Sequence, residues 1–363
     1  MRVLWTILLL AGAVPGQDAE AILKNAIQLH QKGRVEDAIP KYEEYLKLKP
    51  DNAVALSNLG AAWARTGRFD EAVPRYRRAL ELLPANAGIR LNLGLAYYKQ
   101  ALFEEAIGEL EAVRKAQPRN LQANLLLADS YLQIGENVKV IEVLDSFDDP
   151  SNQAVNYLLG TALVRERRLE RGQLIIDRIM RQGESAEALM LTSTLLLAGT
   201  GNKEAVRKLE RAIELNPKLP GVHALLGQAK LNDGDPEGAR KAFLKELEQN
   251  PADYDANLQL GGLYRLDKDL ERARVHLEKA ARIRPKSVAV KYQLGSLEMA
   301  DARLDRALPL LEAVTREAPS FVEGHIALAT LYYRLKRKED GDRERAIVER
   351  LNAENQQKEL KKQ

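Results

Sequence analysis

The chain has 363 residues, with 55 basic against 52 acidic side chains and a formal net charge of +3. So small an excess gives no electrostatic footprint for nucleic acid, where phosphate neutralisation dominates affinity. Cysteine is absent, which removes disulfides, thiolate metal sites and cysteine nucleophiles, and fits an oxidising compartment.

Met1-Arg2 is a short basic start, and residues 3–13 are apolar apart from Thr6 and Gly12. Small residues and Pro15-Gly16-Gln17-Asp18 follow. Basic, apolar, small, cleaved is the order of a secretory leader. It is expected over residues 1–16, with cleavage after Ala13 or Gly16, and implies a periplasmic or secreted product. The alternative is an uncleaved anchor or a buried first helix. The apolar run falls far short of the roughly 20 residues that span a bilayer. Elsewhere apolar residues recur at helical spacing between charges, so no integral membrane span is expected.

Beyond the leader, prolines set a period. Pro50, Pro84 and Pro118 are 34 apart, as are Pro217, Pro251, Pro285 and Pro319. Proline ends a helix because it lacks an N–H and clashes with the preceding turn. In Pro50-Asp51-Asn52, Pro84-Ala85-Asn86, Pro118-Arg119-Asn120, Pro150-Ser151-Asn152, Pro251-Ala252-Asp253 and Pro285-Lys286-Ser287 a capping residue then opens the next helix. Within the second period Leu56, Leu59, Gly60 and Trp63 share a first-helix face, Gly67 marks a turn, and Ala72, Tyr76 and Ala79 line a second helix. Leu93, Gly94, Tyr97, Ala106, Leu110 and Val113 repeat this, and so do Leu260, Gly261, Tyr264, Ala273, Leu277 and Ala280.

Repeats are expected to open near Ala19, Ala53, Ala87, Leu121, Gln153, Ser185, Pro220, Tyr254, Val288 and Val322. Repeats four and five read as about 32 residues long, and repeat six carries about one extra near residues 199–202. A bend or changed pitch is expected there. Residues 17–152 and 153–337 are read as amino- and carboxyl-terminal repeats, and residues 338–363 as a polar capping helix and tail. Lys230 and Glu298, at the eleventh place, are expected to snorkel to water along their stems, with Glu246 an alternative partner for Lys230.

A 34-residue helix-turn-helix with small residues at places 8, 20 and 27 and proline at place 32 resembles the tetratricopeptide-repeat family. The resemblance implies an all-α, right-handed superhelical solenoid of about ten repeats, whose first helices line a concave groove for peptides, helices or other proteins. In the family, places 2, 5, 9, 12 and 13 line that groove. In repeats three to six this gives Leu91, Leu95 and Tyr98, then Leu125, Asp129 and Leu132, then Tyr157, Thr161 and Val164, then Leu189, Ser193 and Leu196 as partner-binding residues. The alternative is that the walls close on themselves in a tight superhelix and bury these side chains. The clamp by which some members hold chaperone tails is missing, since of Leu23, Ile27, Asn58, Gly88 and Asn92 only Asn58 matches.

Nothing in the sequence argues for an enzyme. His30, His223, His276 and His325 have no partner at metal-motif spacing, and His223 and His325 hold the packed fourth place. Asp148-Asp149 reads as a solvated turn. No catalytic, metal or cofactor residue is assigned. The expected role is a protein or peptide scaffold in cell-envelope assembly or secretion, with an accessory role in polysaccharide export or carbohydrate binding as the alternative.

Overall fold

The computed structural model describes residues 15–147, 151–181 and 183–360. The expected leader lies outside them except for residues 15 and 16, and Asp148 and Asp149 lie outside them too. Twenty α-helices follow one another: α1 (Pro15–Gln31), α2 (Val35–Leu48), α3 (Ala53–Arg65), α4 (Phe69–Leu82), α5 (Ala87–Lys99), α6 (Phe103–Ala116), α7 (Leu121–Ile134), α8 (Asn137–Leu144), α9 (Gln153–Arg165), α10 (Leu169–Met180), α11 (Ala186–Leu197), α12 (Asn202–Leu215), α13 (Val222–Asn232), α14 (Pro236–Gln249), α15 (Tyr254–Leu266), α16 (Leu270–Ile283), α17 (Val288–Ala300), α18 (Leu304–Glu317), α19 (Val322–Arg334) and α20 (Lys338–Leu360). Among the described residues there is no strand, and consecutive helices pair into the helix-turn-helix repeats of a solenoid. The chain forms two compact bodies, Met1–Tyr131 and Leu132–Gln363, divided within α7.

Each repeat is built by the same local chemistry. Asn52, Asn86, Asn152, Ser185, Asp253 and Ser287 each accept a hydrogen bond from the N–H three residues on. That satisfies one of the free donors at a helix start and contributes about 1 kcal/mol. Small residues let paired helices close up: a Cβ on Gly94 would lie 2.8 Å from Leu110 Cγ, and one on Gly261 2.5 Å from Leu277 Cδ2. Leu93, Leu110 and Leu277 are buried in the resulting seams, each worth about 2 kcal/mol. The turn inside the repeat needs a left-handed residue. Gly33, Gly67, Gly135 and Gly234 supply it, but so do Ala101, Arg167, Lys268, Ala302 and Lys336.

The fourth place is a polar hook. Arg90, Asn124, Asn257 and His325 donate to the carbonyls of Pro84, Pro118, Pro251 and Pro319, at 2.9, 3.0, 3.1 and 3.0 Å. Nineteen residues on, a second-helix partner completes it: Arg90 with Glu109 at 2.6 Å, Asn257 with His276 at 3.0 Å, and His325 with Glu344 at 2.5 Å. In repeat seven the residue nineteen after His223 is Ala242, and His223 Nε2 meets no partner among the described residues.

Both charged intrusions have been given partners. Lys230 Nζ lies 3.3 Å from Glu210. Glu298 does not snorkel: it is buried and paired with Arg274, which also holds Asp301 at 3.0 Å. Pairing is what makes a buried carboxylate tolerable. Glu246 serves another purpose. The chain enters α13 through left-handed Gly221, which has no capping side chain, and Glu246 accepts from the N–H of Gly221 at 2.9 Å and of Ala224 at 3.3 Å.

The central repeats depart from the pattern. α8 has 8 residues and ends in a 3-10 turn, Asp145–Phe147. α9 packs directly on α11, and a Cβ on Gly160 would lie 3.0 Å from both Ile175 Cγ2 and Leu191 Cδ1. α11 opens at Ala186, 33 residues after α9 opens at Gln153. Ser193, Ala205 and Ala212, all fully buried, then hold places 8, 20 and 27, so repeat six opens one residue later than expected and carries no insertion. α20 closes the series as the polar helix expected over residues 338–360.

Candidate functional site

In the amino-terminal body Leu91, Leu95, Tyr98, Leu125 and Asp129 are half-buried. The Tyr98 hydroxyl donates to the Asp129 carboxylate. Burial and this carboxylate raise the Tyr98 pKa, so the phenol stays a donor. This part of the stripe is therefore half-buried, with the Tyr98–Asp129 bond tying α5 to α7.

In the carboxyl-terminal body the expected stripe is filled. Leu132, Thr161, Val164, Leu189 and Ser193 are buried, and Tyr157 and Leu196 are half-buried. Several have a structural reason. Val164 Cγ2 lies 3.0 Å from where a Cβ on Gly172 of α10 would stand, so it packs inside its own repeat. The Tyr157 hydroxyl lies 3.3 Å from the Pro220 carbonyl and 3.6 Å from Met190 Sδ. Ser193 donates to the Leu189 carbonyl at 2.7 Å and lies 3.5 Å from the Ala205 carbonyl of α12. Leu189, Ser193 and Leu196 thus hold places 4, 8 and 11, one place off the groove stripe. A shift of one residue turns a helical stripe by about 100°.

An open groove lies further along. Arg265 of α15, Tyr292, Ser296 and Met299 of α17, and Glu323, Ile326, Ala327 and Thr330 of α19 line a depression of about 320 Å³. Except for Ala327 they hold places 2, 5, 9 and 12, the same places read as groove-lining in repeats three to six. Ile326 is 49% exposed, and Leu266, at place 13 of α15, is 68% exposed. The floor is held by polar ties: Arg265 Nε donates to Gln293 Oε1 at 3.3 Å, and Arg334 Nη1 to the Met299 carbonyl at 2.7 Å. Apolar side chains facing water beside fixed polar groups suit an amphipathic segment. The signal was available in the sequence at the same place numbers, but the first helices of repeats eight to ten are less uniformly apolar than α11.

Among the described residues no group of three His, Asp or Glu side chains is placed to hold a metal ion, and no helix is long and apolar enough to cross a membrane.

Models of tetratricopeptide repeats match residues 28–67, 64–100, 91–154, 224–288 and 264–320, together more than half of the chain. No curated protein sequence matches significantly. Among solved structures, the crystal structure of the APC/C hetero-tetramer Cut9-Hcn1 is similar at 12% identity and a TM-score of 0.57, over 92% of this chain and 87% of that one. At that identity the likeness concerns the fold. Tetratricopeptide repeats are in general protein–protein interaction scaffolds. Matched by these models and built of such helix pairs, the chain belongs to the tetratricopeptide-repeat family.

Proposed function

We propose that the protein is an exported interaction scaffold that takes an apolar peptide or amphipathic helix of a partner protein along α15, α17 and α19. The observation that carries this is the row of exposed Ile326 and Leu266 with half-buried Tyr292 and Met299 at the groove places of three successive repeats. The near-neutral charge argues against nucleic acid, and Tyr292 is the one ring among the groove's lining residues, too few for a carbohydrate platform. The basic-apolar-small leader supports export and directs the scaffold to cell-envelope assembly or secretion. A photo-crosslinking residue at position 326 tests the groove, with position 174 on α10, where Leu174 is 64% exposed, as the control. One partner protein should be captured at 326 and not at 174, and Leu266→Asp should abolish the adduct. Equal capture at both positions would sink the groove reading. Export is tested by locating the full-length and leader-deleted chains in cell fractions.

A further inference from the structure

Arg284 stands in the turn between α16 and α17, yet its guanidinium reaches the end of α7 within the same body. Nε donates to the Gln133 carbonyl at 2.5 Å, and Nη2 lies 3.4 Å from the Leu132 carbonyl, across 151 and 152 residues of sequence. These are carbonyls of the last turn of α7, where intrahelical donors run out and the helix dipole favours a cation. The guanidinium carbon stands 3.8 Å from the ring centre of Tyr254. The Tyr254 hydroxyl is tied to Ser287 Oγ at 2.6 Å, so the platform and the turn are fixed to each other. Asp253, Asp255 and Arg165 lie close enough to act on its charge. Such a contact is foreign to a solenoid, in which each repeat touches its neighbours.

A second observation lies on α9. The ninth place of the first helix is open or half-open elsewhere, as at Leu95, Gln228, Ser296 and Thr330, whereas Thr161 is 6% exposed. Its hydroxyl donates only to its own helix, to the Tyr157 carbonyl at 2.8 Å, so no partner side chain draws it inward. Arg165, one turn on in α9, is among the charges that act on Arg284.

We propose that Arg284 is a latch that holds the first-helix face of the carboxyl-terminal body shut over α9 by bridging the α16–α17 turn to the end of α7. With the latch made, the Thr161 face of α9 is closed to a partner, and binding is left to the groove along α15, α17 and α19. Its release uncovers the Thr161 face of α9. The latch is independent of whether that groove is used.

The chain contains no cysteine, so a Thr161→Cys variant of the full chain carries a single reactive thiol. Its alkylation rate is compared in the Arg284, Arg284→Ala and Arg284→Lys backgrounds, with Arg282→Ala, exposed in the last turn of α16, as control. Charge-assisted hydrogen bonds of this kind shift an equilibrium by about ten- to a hundredfold. Labelling should quicken by roughly that factor in Arg284→Ala and by less in Arg284→Lys, which keeps the cation but not the two-pronged guanidinium. It should not change in Arg282→Ala. Circular dichroism should be unaltered throughout. Unchanged labelling in Arg284→Ala overturns the latch. Loss of helicity in Arg284→Ala overturns it too, because the residue would then be needed for folding and not for closure.

Discussion

Ala302 occupies the turn of its repeat at φ +57°, a conformation that costs a residue with a Cβ about 1 kcal/mol or more. Ala302→Gly should therefore raise stability by about 1 kcal/mol in chemical denaturation despite the looser unfolded chain. Asp253 is a second residue at odds with its place. Burial, then the neighbouring carboxylates of Asp255 and Glu246, push its pKa up to about 7. A folded-state value above the unfolded one means that its contribution is complete below about pH 4 and is lost as the pH rises through about 7. Asp253→Asn keeps the cap on α15, since asparagine caps as well as aspartate. The variant should match the parent near pH 4 and exceed it by about 1 kcal/mol at pH 8, the carboxylate being only partly screened from water. The caps, seam glycines and seam leucines were legible because each follows from a short-range rule. The fourth-place hook was not. His325 reads as a packed histidine until Pro319 six residues before it and Glu344 nineteen after it are brought to its ring, and no local pattern announces a pair at that separation.

Elements differ in how much room they leave. Gly160 of α9 is pressed by both α10 and α11, whereas Gly262 of α15 has only the end of Gln293 within 4 Å of a Cβ. Gly160→Val should cost about 2 kcal/mol or more by overpacking, while Gly262→Ala should be neutral or gain up to about 1 kcal/mol from helix propensity. Thermal melts of the two variants side by side check the contrast. α20 is held by the Glu344–His325 contact and by the Tyr333 hydroxyl on Asp342 at 2.8 Å. Glu344→Ala leaves a buried imidazole nitrogen without its partner, at about 1–3 kcal/mol, and should speed amide exchange in α20 while α3 and α4 keep their protection. Helix boundaries were nearly all readable from the proline and capping residues. Repeat six was missed by one residue, because Gly183 stands where a proline is missing and an almost uniformly apolar helix gives no phase, and α1 opens at Pro15, ahead of the expected Ala19. α11 carries leucine or methionine on most of its faces, so Ser193 against Ala205, a packing fact, was needed to fix the register.

For the molecule as a whole, the repeat class was plain from spacing because repetition multiplies a weak local signal. Where a partner would dock was less plain, because curvature decides it and curvature depends on contacts between repeats far apart in sequence. Thr161 and Leu132 have the composition of a groove and the burial of a core, and Arg284 is the kind of long-range contact that separates the two. Ile326 looks ordinary in sequence and stands exposed, with half-buried Tyr292 beside it. Since solenoid stability is a sum of repeats and their nearest interfaces, Gly261→Val, whose side chain would strike Leu277, should raise amide exchange in α15 to α18 and leave α3 to α6 unchanged. The nineteen-residue partnership carries a further consequence. Arg90 answers Glu109, Asn257 answers His276 and His325 answers Glu344, so a change at either member is compensated only at the other. Across diverging relatives the two columns would drift as couples, charge with charge and amide with imidazole, and such joint drift would draw the hairpin even where no single motif survives.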